Sequence, residues 1–124
     1  RARWMKARYS KSKTVIPLAG QINDAHSLFN HYKRLIQWRK SHAALSDING
    51  GIVPLPTQDA RIVAFIRTSN EKALWVIHNL SGETVTFNAS GLSDQLLFST
   101  HLESHFSGPE IIALAPYSCT VLGK

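Results

Sequence analysis

The residues able to do chemistry in this 124-residue chain are few, and their spacing suits little of it. His101-Leu-Glu-Ser-His105 sets one acid between two imidazoles. A zinc helix of the metalloprotease kind needs His-Glu-x-x-His, so that both rings share a helix face with the base beside them. Here Glu103 stands two residues from each histidine in a serine-rich stretch, and the pair reads as solvated loop side chains. His26, His31 and His42 lie around a helix-like segment without ligand spacing, and His78 reads as a satisfied strand residue. The single cysteine, Cys119, excludes an internal disulfide and a small stapled scaffold. It sits in the apolar run Tyr117-Ser-Cys-Thr-Val-Leu122, where a buried structural thiol is expected. Asn79-Leu-Ser81 and Asn88-Ala-Ser90 match the N-glycosylation pattern, which recurs by chance; for Asn79 a structural role is expected. No Ser-His-Asp or Cys-His arrangement is legible.

A formal net charge of +6 raises nucleic acid as a partner, so the distribution of that charge matters. Arg1, Arg3, Lys6, Arg8, Lys11 and Lys13 crowd the start, and Lys33, Arg34, Arg39 and Lys40 follow on one predicted helix. From about residue 41 onward the chain holds seven of its eight acids and only Arg61, Arg67, Lys72 and Lys124 as bases. The basicity belongs to the amino-terminal third. It comes with no phosphate-cradling glycine loop and no nucleic-acid-reading motif, so nucleic acid is not an expected partner. The apolar runs are far too short to span a bilayer, and no membrane role is expected. No leader-like succession of charged, apolar and small residues opens the chain, and Arg1 in place of Met suggests a processed or severed polypeptide.

The elements that must position these residues follow from periodicity. Residues 1–23 lack it and read as an extended basic segment. Asp24 is a candidate N-cap for the clearest helix, with Ser27 as the other choice. Leu28, Tyr32, Leu35, Ile36 and Arg39 then recur at helical spacing, and Phe29 and Trp38 widen the apolar surface. A stripe this wide needs a partner surface, and more than one neighbour. From Asn49 onward, short runs alternate with turn residues. Ile52–Leu55 reads as an edge strand because Pro54 cannot donate to a ladder. Arg61–Arg67 and Lys72–Leu80 flank Thr68-Ser-Asn-Glu71 as a hairpin, and Thr84–Phe87, Gln95–Ser99, Ile111–Leu114 and Tyr117–Leu122 follow. The last two are expected to pair across Ala115-Pro116. Lys72–Leu80 is apolar on both faces, with Leu74, Val76 and Leu80 on one and Ala73, Trp75 and Ile77 on the other, so it should be central and covered from both sides. The fold expected is mainly β: one N-terminal amphipathic helix packed beside a seven- to eight-stranded antiparallel β-sandwich.

The order of these segments resembles the carboxy-terminal part of the α-amylase family of glycoside hydrolases. Ser27-Leu-Phe-Asn-His-Tyr-Lys-Arg-Leu-Ile-Gln-Trp-Arg-Lys-Ser-His-Ala-Ala-Leu45 is similar to the family's last barrel helix, with Ala43 where proline is usual. Asp59-Ala-Arg-Ile-Val-Ala-Phe65, Ala73-Leu-Trp-Val-Ile-His-Asn-Leu-Ser81 and Leu114-Ala-Pro-Tyr-Ser-Cys-Thr-Val-Leu122 resemble strands of its terminal domain. The resemblance covers about residues 24–124. It implies the last helix of a (β/α)₈ barrel over 24–46 and a C-terminal β-sandwich domain over 47–124, after the extended basic segment over 1–23 that the missing periodicity suggests.

The family cleaves α-glucosidic bonds with retention, through an Asp nucleophile, a Glu acid/base and a second Asp at the carboxyl ends of barrel strands. None of the eight acids here falls in a matching motif, and the Gly-x-Arg-x-Asp nucleophile signature is absent. The resemblance therefore implies no catalytic, cofactor-binding or metal residue here, and a non-catalytic accessory role that stabilises the barrel. Calcium, common in the family, would belong to the parent enzyme. The alternative is a glucan-binding module for starch or maltooligosaccharide, since surface aromatics stack on sugar rings. Tyr117, in a turn beside Pro116, and Trp75 are the candidate contacts; the apolar neighbours of Trp75 and Trp38 argue for burial. The expected partners are the missing barrel, α-glucan, and a second copy through the helix face Leu28, Tyr32, Leu35 and Ile36. A secreted or periplasmic parent is favoured over a cytoplasmic one.

Overall fold

The computed structural model describes residues 16–70, 72–93 and 95–123. The chain divides into two compact units, residues 1–39 and 40–124. The basic cluster over 1–13 lies outside the described residues. Leu18–Gln21 forms a single helical turn, α1, within the stretch expected to be extended. Pro17 precedes it, where a fixed φ suits helix entry.

The main helix, α2, runs over Leu28–Ser41. Of the two candidate caps, Ser27 is the one used: its carbonyl accepts from His31 N at 2.9 Å and its Oγ from Asn30 N at 3.3 Å. Asp24 instead closes the preceding turn, its Oδ1 accepting from His26 N at 2.9 Å. The side chain of Asn30 donates to the carbonyls of Asp24, Ile22 and Gln21 at 2.8–3.0 Å, and Gln21 Oε1 accepts from Phe29 N at 3.1 Å. Gln21 Oε1 and Ser27 Oγ thus satisfy two of the N–H groups that any helix start leaves without an intrahelical acceptor, and the Asn30 amide ties down the carbonyls of the preceding turn.

The second unit opens with a helical turn, α3, over Ala43–Ser46, followed by eight strands: β1 Gly51–Leu55, β2 Ile62–Ser69, β3 Lys72–Asn79, β4 Val85–Asn88, β5 Leu96–Ser99, β6 His105–Gly108, β7 Ile111–Leu114 and β8 Cys119–Gly123. One sheet has the order β1-β2-β3-β8-β5 and the other β4-β7-β6, and every pairing is antiparallel. Pro54 lies on an edge strand, as its missing donor requires. The β2–β3 hairpin turns at Asn70, whose φ of 50° places it in the left-handed region that asparagine tolerates.

The core lies between the sheets. Ile62, Ala64, Ile77 and Leu122 supply it from the larger sheet, and Val85, Ile112 and Leu114 from the smaller. On the outer face of β3, Leu74 and Val76 are buried too, so both faces of this strand are covered. α3 packs over β2 and β3, where Arg67 Nε donates to Ala44 O at 3.2 Å and Ser69 Oγ donates to the Asp47 carboxylate.

Three features differ from the sequence expectation. β7 and β8 do not pair: β7 belongs to the smaller sheet and β8 to the larger, because Leu114 and Leu122 face one core from opposite layers. β6 is an additional strand, with Phe106 as its one large apolar residue and therefore no alternation to reveal it. Leu80 lies past the end of β3 and is exposed, outside the buried set that Leu74 and Val76 join.

The crossover from β7 to β8 is held by Asn79, which is 1% exposed. Its Nδ2 lies 2.9 Å from Ala115 O, 3.2 Å from Leu114 O and 2.7 Å from Glu83 O, and its Oδ1 accepts from Ser81 N and Oγ at 2.9 and 2.8 Å. Truncation to alanine would strand the buried Ala115 carbonyl and remove bonds to Leu114 O, Glu83 O, Ser81 N and Ser81 Oγ. Asn79→Ala is expected to destabilise the chain by roughly 3 kcal/mol, since each unsatisfied buried group costs about 1–3 kcal/mol. Urea denaturation should show a lower midpoint with an unchanged slope; an unmoved midpoint would remove Asn79 from this role.

Candidate functional site

No pair of carboxyl groups among the described residues is set up as a proton donor and a nucleophile. Among the described residues, the two acids that share a partner are Asp59 and Glu83, and that partner is a cation. Arg61 Nη2 lies 2.7 Å from Asp59 Oδ2, its Nε 3.0 Å from Asp59 Oδ1, and its Nη1 3.1 Å from Glu83 Oε2. Hydrogen bonds from the Arg61 side chain and backbone hold Asp59 down to about 2. A retaining mechanism needs one carboxyl that keeps its proton near neutrality, and a guanidinium works against that. The Asp59 and Glu83 arrangement is an ion triplet at the surface.

The histidines are spread apart. His101 Nδ1 pairs with Thr100 Oγ1 at 3.1 Å, and His105, at the start of β6, has Nδ1 2.7 Å from Glu103 O. Both are exposed. His78 stacks on Phe65 with ring centroids 5.9 Å apart, and its Nε2 lies 4.0 Å from Cys119 Sγ. Burial lowers the pKa of His78 and pushes the Cys119 thiol up to about 11. A thiol this reluctant to ionise is a poor nucleophile and a poor metal ligand. No group of three His, Cys, Asp or Glu side chains gathers among the described residues.

Two surfaces remain. On α2, Leu28, Tyr32 and Ile36 recur every fourth residue and are 66%, 57% and 53% exposed, whereas Leu35 is half-buried. With Phe29 and Gln21 they line an open groove of about 590 Å³ whose walls are almost wholly apolar. The other surface is the turn after β7. Tyr117 is 71% exposed with φ at 49°, and its N–H donates to Ser81 O at 3.0 Å. Its phenol leans on Gly82, where an added Cβ would come within 3.1 Å of the hydroxyl oxygen. Trp75 packs against the core and offers no comparable open ring. Asn88 is exposed, its Oδ1 accepting from Ser90 N at 2.8 Å, and the burial of Asn79 leaves its amide unavailable for modification.

Comparison with known proteins identifies the context of these surfaces. The family model described as the alpha-amylase SusG C-terminal domain matches residues 62–121. "Alpha-amylase 3" of Dictyoglomus thermophilum is 31% identical over 121 residues, covering 96% of this chain and 23% of that protein. The chain belongs to the α-amylase family. Within the family it corresponds to the C-terminal, accessory domain. "Oligo-1,6-glucosidase" of Halalkalibacterium halodurans is 35% identical over 108 residues, covering 83% of this chain and 19% of that protein. An isomaltulose synthase from Erwinia rhapontici NX5 shares the fold with a TM-score of 0.71 at 22% identity, over 85% of this chain and 19% of that one. The chain thus spans about a fifth of the length of these α-amylase-family relatives.

The Asn-Leu-Ser and Ala-Pro-Tyr signals that carried the family resemblance meet in space: Asn79, Ser81, Ala115 and Tyr117 are joined by hydrogen bonds. Sequence reasoning missed the Asp59–Arg61–Glu83 triplet, because Glu83 is brought to Arg61 only by the pairing of β2 with β3.

Two titrations check this electrostatic account. Arg61→Gln should raise the pKa of Asp59 from about 2 toward the ordinary value of 3.8, read by carboxyl NMR. Because the folded value is depressed, whatever stability the contact contributes is present above pH 3.8 and fades as pH falls through about 2. Cys119 should react slowly with a disulfide reagent at mildly alkaline pH and rapidly once the chain is unfolded; fast labelling of the folded chain contradicts a thiol held at about 11.

Proposed function

We propose that this domain supports a catalytic (β/α)₈ barrel on the same polypeptide, and that the whole protein acts on α-glucosidic bonds. In this reading α2 closes the barrel and the sandwich stabilises it. The chemistry resides in the barrel, as does any calcium requirement. The observation that carries the proposal is the Leu28–Tyr32–Ile36 stripe. A surface helix of a self-sufficient domain turns such residues inward, whereas here all three are more than half exposed beside an apolar groove. The lengths of the relatives, four to five times that of this chain, are consistent with it.

The test uses the full-length protein. Tyr32→Glu combined with Ile36→Glu should lower its inactivation temperature while leaving kcat at low temperature nearly unchanged; an unaltered inactivation temperature would count against the proposal. The 124-residue chain alone should release no reducing sugar from maltooligosaccharides. With the stripe uncovered, the same chain should self-associate in analytical ultracentrifugation, and the double glutamate variant should run as a monomer.

A second reading, α-glucan binding, is favoured by Tyr117. An open phenol ring, fixed by the Ser81 carbonyl and the bare backbone of Gly82, is suited to stacking on a sugar ring. The two readings are compatible, since a supporting domain can also hold substrate.

A further inference from the structure

A second concave surface, separate from the Tyr117 ring, lies within the unit of residues 40–124. The loop Pro56–Asp59 forms one wall of a groove of about 480 Å³, and strand β4 with Ser90 forms the other. Ile62 and Phe87 complete the lining, and the polar contributors include Gln58, Thr86 and Asn88. The volume falls within the range of about 300–1,000 Å³ typical of small-molecule sites.

The backbone of β4 contributes as well. β4 is an edge strand, paired only with β7. Ala89 N donates to Glu110 O at 2.7 Å, continuing the same register. In an antiparallel ladder hydrogen-bonded residues alternate, so Val85 and Phe87 bond toward β7 while the N–H and C=O of Thr86 and Asn88 point to the open side. The other three edge strands carry features that blunt further pairing: Pro54 in β1, and register irregularities in β5 and β6. β4 has neither. Its open edge is instead faced by Pro56–Asp59, which leaves a groove rather than free space for another strand.

The charge of the lining selects the ligand class. Asp59 is its one ionised side chain, and Arg61 neutralises it through bonds of 2.7–3.2 Å. Among the described residues, no lysine or arginine lines the groove. An anion finds no cation here and a cation finds a carboxylate already occupied. What remains is amides, hydroxyls and two outward peptide groups beside a partly exposed phenylalanine. That combination of neutral hydrogen-bonding groups and an apolar ring suits a neutral polyhydroxylated ligand.

We infer that the groove between Pro56–Asp59 and the open edge of β4 binds a short α-glucan segment, as a site separate from the Tyr117 turn. The sugar hydroxyls bond to Gln58, Thr86 and the outward peptide groups, and the exposed edge of Phe87, whose ring otherwise packs against the core, adds an apolar contact. The α-glucan identity of the ligand rests on the glucan-binding reading above.

The test is a titration of the ¹⁵N-labelled 124-residue chain with maltohexaose to roughly 10 mM, followed by amide shifts. The expected result is shifts at Gln58, Thr86 and Asn88 that saturate. Gln58→Ala with Thr86→Ala should raise the dissociation constant roughly tenfold while leaving the rest of the spectrum in place. Both side chains are exposed, so the variant tests binding rather than folding. Shifts confined to Tyr117, Ser81 and Gly82 would overturn the groove and leave the glucan reading standing. Silence toward every α-glucan would overturn both. Groove shifts with an extended threonine-serine peptide, and none with sugar, would mean that the β4 edge recruits a strand, and would overturn the inference.

Discussion

Asn79 is the constraint on which the sandwich depends. A chain that leaves one sheet to enter the other must pass backbone carbonyls through the margin of the core, where neither ladder can satisfy them. Here the carbonyl just past the end of β7 is that of Ala115, and the same amide also reaches Leu114 O and, at the other turn, Glu83 O. One side chain thus ties the end of β3, the turn into β4 and the crossover into β8 to a single point. Neighbouring hydroxyls extend the arrangement: Ser104 Oγ accepts from Ala115 N at 3.0 Å and lies 3.5 Å from Ser118 Oγ. With that margin satisfied, Ile112 and Leu114 can meet Ile77 and Leu122 across the two layers.

The same geometry explains where function can and cannot reside. Residues buried at the crossover are committed to holding the layers together. Beside them Tyr117 is turned outward by its positive φ, so a structural joint and an open aromatic share one turn. Asp24, Asp47, Asp59 and Glu83 bond to cations, hydroxyls or local backbone rather than to each other. Asp47 accepts from Ser69 Oγ and Asn49 N, and Asp59 is gripped by Arg61. Proton-transfer chemistry needs a carboxyl released from such contacts.

Much of the fold was legible in the sequence because it depends on local signals. Pro54 marked an edge, Thr68-Ser-Asn-Glu71 a turn, and the two-sided apolarity of Lys72–Leu80 a central strand. The β7–β8 connection was misread for a physical reason: two apolar runs joined by a short turn look alike whether they lie side by side or face each other across a core. β6 escaped notice because a four-residue edge strand with a single large apolar residue leaves no periodic trace. Of the candidate site residues, Tyr117 could be nominated from its Pro-flanked turn, and its exposure came from the structure. The groove beside β4 could not be read from sequence at all. Its two walls lie some thirty residues apart and are polar, and polar residues carry no pattern that says what they face.

The buried polar side chains of the described residues are Ser27, Ser69, Asn79, Ser93, Ser104, Ser118 and Thr120, all hydroxyls or amides. Such groups keep the same protonation state in acid and alkali, and their bonds are short-ranged enough to be indifferent to ionic strength. The hydration balance of this interior is therefore fixed by shape rather than by solution conditions. A domain so built can accompany a partner through changes of acidity or salinity with little of its interior titrating, the half-buried His78 and the Asp47 carboxylate that holds Ser69 being the exceptions.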